Sequence, residues 1–208
     1  MENILIPRNL EGRKEKRKQM NIKLLSQEVI DGDLILDGSF MNIDTKFVKI
    51  KKVNGTVWLT GRQWTEIPEW LKDVEITGSF TCSFNKIKTL KNCTQKIGGT
   101  FSCANNKLIS LKGCPKEIGG DFWCYNNLLT SLEGCPKNIE RSFYCDNNLL
   151  TSLEGCSKNI QGIFSCNYNR LSSLEGCPNK IGRSFYCHHN AIKLELPDYV
   201  ELKGQFNN

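Results

Sequence analysis

The chain has 208 residues, of which 39% are hydrophobic, and a formal net charge of +6. That apolar share is lean for a compact globule and ordinary for a thin repeat array, and the charge serves solubility without demanding a polyanionic partner. No apolar run approaches the length needed to span a bilayer, so no membrane partner is expected.

Residues 1–29 lie outside any repeat. Arg13, Lys14, Lys16, Arg17 and Lys18 crowd where a secretory signal would carry its apolar segment, so a cytoplasmic chain is expected. Met20, Leu24 and Leu25 fall on one helical face, and the end coil of a repeat array needs a cap with a polar outer side. The segment therefore reads as a basic helical cap. The alternative for Arg13, Lys14, Lys16, Arg17 and Lys18 is an arm that docks on nucleic acid.

From residue 30 the sequence is periodic. An apolar column runs Ile30, Val53, Ile76, Ile97, Ile118, Ile139, Ile160, Ile181, Leu202, and a second runs Leu34, Val57, Phe80, Phe101, Phe122, Phe143, Phe164, Phe185, Phe206. The first two steps are 23 residues and the rest 21. A fixed period of this size means stacked supersecondary units. Residues 30–75 are two divergent coils, with Phe47 and Trp70 expected at the inward position later held by Cys93. Residues 76–190 are regular coils, and 191–208, where Leu194-Glu-Leu196-Pro197 breaks the pattern, are a C-terminal cap completing about nine coils.

In the regular coils eleven Cys alternate in steps of 11 and 10, from Cys82 to Cys187. Eleven thiols cannot all pair within one chain, which fits a reducing compartment. Phe-x-Cys is a short strand with alternate residues inward. Asn85, Asn106, Asn127, Asn148, Asn169 and Asn190 end the strands at one fixed phase, so they should satisfy backbone groups of their own and the neighbouring coil. Leu-x-x-Leu supplies two further inward residues, and Gly-Cys-Pro turns the corner.

Phe-x-Cys-x-x-Asn-x-Leu followed by Leu-x-x-Leu resembles the leucine-rich repeat. The Leu-Thr-Ser-Leu phrase at 129–132 and 150–153 is similar to the short repeats of the YopM and IpaH bacterial effectors, and to Cys-rich repeats of large bacteriophages. The resemblance implies a leucine-rich repeat solenoid, with a parallel sheet on the concave face and a convex side of extended or 3₁₀ segments. No ligase domain follows the repeats, so ligase activity is not expected.

Catalytic chemistry is not legible. No two Cys stand closer than ten residues, whereas zinc sites draw on close-spaced ligands. Parallel Cys columns offer poor disulfide geometry, so the Cys read as small buried hydrophobes. His188 and His189 should point to opposite faces of a strand and not share an ion. No phosphate-cradling loop or nucleophile elbow is present. The chain reads as a non-enzyme with no cofactor and no metal.

Function is expected on the outward strand positions flanking the Cys. There Trp58, Trp123, Tyr125, Tyr144, Asp146, Tyr186 and His188 form a candidate partner-binding strip. Exposed aromatics are favoured anchors of protein interfaces. The expected role is capture or steric blocking of a partner protein; the resemblance implies a phage or bacterial inhibitor of a host defence factor. Two alternatives are nucleic-acid binding through the basic arm and a Lys stripe (Lys96, Lys116, Lys137, Lys158, Lys180), and a structural or self-assembling role.

Overall fold

A computed structural model describes residues 10–41, 43–61 and 63–208, with side chains from Glu15 onward. The chain is a parallel β-solenoid preceded by one helix, α1 (Leu10–Leu25). Each coil contributes two very short strands. One ends on the Ile column and the other begins on the Phe column.

The Phe column builds a nine-stranded parallel sheet, from Leu34–Leu36 to Phe206–Asn207, with every strand beside its sequence repeat. Register is strict: Phe122 pairs with Phe101 on one side and Phe143 on the other. The six inward Phe rings from Phe80 to Phe185 form one fully buried stack, with centroids 4.9 to 5.7 Å apart. Such offset parallel pairs add to the gain from burial itself.

The Ile column forms a second parallel ladder, in segments of five and four strands. This face was expected to hold extended or 3₁₀ segments. Ladder pairing wins because each coil brings the same column back beside its repeat, the two extra residues of the early coils being taken up outside the strands, so each carbonyl meets the amide of the next coil. The 3₁₀ turns are confined to the early coils, at Gly38–Phe40, Thr45–Phe47 and Glu69–Asp73. They also shift the phase there. Leu71 is fully buried while Trp70 beside it is half-buried against the core, and Val48 packs against the core while Phe47 is exposed. The expectation of Phe47 and Trp70 in the Cys93 column is therefore corrected by one residue.

Close stacking leaves no room for a side chain at several corner glycines as they stand. A Cβ on Gly119 would lie 2.2 Å from the Gly98 carbonyl oxygen of the coil before. At the Gly-Cys-Pro turn Gly134 takes φ +94°, a left-handed conformation that glycine adopts freely.

The Asn column behaves as the sequence suggests. Asn127 Nδ2 donates to the carbonyls of Cys124 and Tyr125 in its own coil and of Cys103 in the previous one, while its Oδ1 accepts from Leu108 N–H at 3.0 Å. Asn106, Asn148 and Asn169 repeat the pattern.

Helix α1 covers the first coil. Leu25 is fully buried, Leu24 packs on the core, Asn21 donates to Ser39 Oγ at 2.9 Å, and Arg17 pairs with Asp37. Met20 is exposed, against expectation, because Asn21 turns toward the coil instead. Arg13 and Lys14 lie early in the helix, with side chains outside the described residues. No described helix is long and apolar enough to cross a membrane.

Candidate binding face

The outer face of the Phe ladder carries the predicted strip, but its seven residues fall into two unlike groups. Trp58, Trp123 and Tyr125 border an open groove of about 620 Å³ across coils two to five. Tyr144, Asp146, Tyr186 and His188 belong to a laterally packed cluster farther along.

The groove exists because coils three and four carry small residues where their neighbours carry aromatics. Trp58 pairs beside Thr81, Thr81 beside Ser102, and Ser102 beside Trp123. Trp58 is 40% exposed. Thr81, Ser83 and Ser102 floor the gap; Thr56, Ser79 and Thr100 line one side, and Phe84 stands on the other. No charged side chain lines the groove among the described residues. Ser102 and Ala104 are buried although their columns face outward, roofed by the larger neighbours Trp123 and Tyr125. Part of the aromatic surface is thus spent on lateral packing. It leaves Trp123 Nε1 buried with no acceptor among the described residues, whereas the core Trp64 Nε1 reaches the carbonyls of Thr60 and Leu36.

In the second group Asp146 is already satisfied. Its carboxylate accepts from the Ser165 hydroxyl and from Asn167 N–H at 3.0 Å. Ser165 is buried between Tyr144 and Tyr186, its partners in the ladder. His188 meets Tyr186 edge-on, and His189 stacks on Tyr168 with centroids 4.4 Å apart. The two histidine rings lie 5.3 Å apart and perpendicular. They do not diverge as strand alternation predicts, because the strand ends at Tyr186 and His189 has φ +55°.

That left-handed position is the feature sequence reasoning missed. It follows the strand in every regular coil, and is held by Phe84, Asn105, Asn126, Asn147, Tyr168 and His189. Asn tolerates the conformation; bulky residues pay for it. The aromatic departures from Asn in this column were the available signal. Phe84 is 57% exposed and Tyr168 51%.

All eleven thiols are free. Burial pushes those of Cys82 and Cys187 up to about 12 and that of Cys135 to about 11. No group of three potential metal ligands occurs among the described residues. Of the Lys stripe, Lys96 pairs with Glu117 and Lys180 with Glu201. No protein-family model matches the chain, and neither do any curated protein or solved structure.

Proposed function

We propose that the chain is a non-enzymatic binding module, of leucine-rich repeat type, that captures a partner protein on the outer face of its Phe ladder. The observation that carries this is the aromatic-walled groove between Trp58 and Trp123, set on strands whose other side is a continuous buried stack. A preordered face loses little conformational entropy on binding, so its contacts translate into affinity. Action is by steric occupancy. The repeat phrasing around Leu129 and Leu150, with the free thiol columns, supports a bacterial or phage protein that blocks a host factor in a reducing cytoplasm.

The nucleic-acid reading has less support. Arg17 is tied to Asp37, and Lys96 and Lys180 have carboxylate partners, which lowers the charge available to a phosphate backbone.

The test compares two baits in a native bacterial lysate: the intact chain, and a variant with Trp58→Ala, Trp123→Ala and Tyr125→Ala, checked for an unchanged circular dichroism spectrum. A protein recovered by the intact bait alone supports capture by this face. Equal recovery by both baits, abolished by nuclease or moderate salt, transfers the role to the basic segment.

A further inference from the structure

Phe84 is in the wrong conformation for its type. Its φ is +57°, and three other coils place Asn at the same position. A non-glycine residue there is strained by its Cβ, and Asn escapes part of that strain through local hydrogen bonds. Tyr168 and His189 recover something by stacking on each other. Phe84 stacks on no ring among the described residues and stays exposed on the groove. Strain retained at an exposed side chain points to something that side chain touches outside the fold.

The chemistry of the groove narrows what that is. Its walls are the aromatic faces of Trp58, Phe84, Trp123 and Tyr125. Its floor and one side are hydroxyls with donors to spare. Ser79 Oγ accepts from Thr100 N–H at 3.0 Å, and Thr100 Oγ accepts from Asp121 N–H at 3.3 Å, so both hydroxyl protons remain uncommitted. Ser83 and Ser102 share one hydrogen bond at 2.6 Å, which uses one of their two protons. An apolar knob would strip water from these hydroxyls and replace none of their hydrogen bonds, which is costly for each stranded group. A charged ligand would find no counter-charge in the described lining. A neutral saccharide satisfies both surfaces: its C–H faces lie on the aromatic rings, and its ring and hydroxyl oxygens accept from the floor. A groove of about 620 Å³ is large enough for a short oligosaccharide.

We infer that the groove of coils two to five binds a neutral oligosaccharide, with Phe84 as a stacking platform kept at the expense of backbone strain. This rests on the reading that the outer face of the Phe ladder captures a partner protein, and it narrows that partner to one that presents a neutral glycan to the groove.

The test is calorimetric titration of the full chain with neutral cello-, chito-, malto- and xylo-oligosaccharides, alongside Phe84→Asn and Tyr168→Asn. Asn is native to this column, so Phe84→Asn removes the ring and keeps the fold. The expected result is saturable binding of one neutral series by the intact chain, weakened about tenfold or more in Phe84→Asn and unchanged in Tyr168→Asn. Absence of binding by every series, or equal affinity in Phe84→Asn, overturns the inference. Both Asn variants then go through the lysate comparison. A protein still captured in a Phe84-dependent way when no saccharide binds refutes the saccharide and leaves protein capture standing; loss of both refutes the face itself.

Discussion

Asn127 spends its polar atoms inside the array, three carbonyls on its amide and one amide on its oxygen, in a site that is almost fully buried. Asn127→Ala leaves Leu108 N–H without a partner and too deep for water, and takes one of two amide donors from the Cys103 carbonyl. The expected loss is about 3 kcal/mol, read as a lower urea midpoint with an unchanged transition slope. Phe84→Asn should go the other way, gaining up to about 1 kcal/mol from relief of left-handed strain; a lower midpoint in that variant would show that Phe84 is held by the fold itself. The two cases divide what a sequence can reveal. The Asn ladder was legible because a polar residue at one phase over six coils has a single physical explanation. The role of Phe84 depends on backbone sign, which one coil does not display and only the contrast with Asn105, Asn126 and Asn147 betrays. The seven-residue strip was legible as columns but not as a site: Thr81, Ser102 and Ser165 open or close the gaps between aromatics, and small residues attract no attention in a list of anchors.

At the scale of the element, two ladders share one coil and the Phe stack joins the coils. Phe143 sits fully buried between Phe122 and Phe164, at 5.0 and 5.6 Å. Phe143→Asp places a carboxylate there with no partner and removes two stacking contacts. An uncompensated buried charge costs several kcal/mol, and in a quasi-one-dimensional array the damage falls on the two adjoining interfaces. The expected outcome in urea is loss of the single cooperative transition, with the flanking coils unfolding in separate steps followed by circular dichroism. A single transition at the original midpoint would mean that position 143 is not inward. The two columns predicted these ladders well because periodicity is insensitive to detail. The early coils were harder: their two extra residues are taken up in 3₁₀ turns such as Glu69–Asp73, so counting from the preceding strand lands on Trp70 instead of the buried Leu71.

Over the whole molecule the same repetition that makes the fold legible multiplies a small electrostatic effect elevenfold. Ten of the thiols are buried and Cys135 partly so, and burial raises the pKa in the folded chain, to about 12 for Cys82 and Cys187 and about 11 for Cys135. The remaining eight are raised by the same cause. The unfolded chain ionises its thiols at their ordinary value of about 8.5. Below that value both states hold their protons and the thiols are neutral toward stability. Above it the unfolded state releases protons that the folded state keeps, so stability falls as pH rises, until the folded thiols themselves ionise. One thiol in this window removes about 1.4 kcal/mol per pH unit. Eleven acting together remove on the order of 15 kcal/mol per unit, as much as a stable domain possesses. The solenoid should therefore hold at pH 7 to 8 and unfold cooperatively within about one unit above pH 9. Urea midpoints measured at half-unit steps from pH 7 to 10.5 read this directly. Replacing Cys103, Cys124 and Cys145 with Ala should lower the midpoint at pH 7, through lost packing, yet flatten its decline above pH 9 by about three elevenths. A decline that keeps its slope in the triple variant would assign the alkaline transition to other groups, and the burial of these columns would then need another measure.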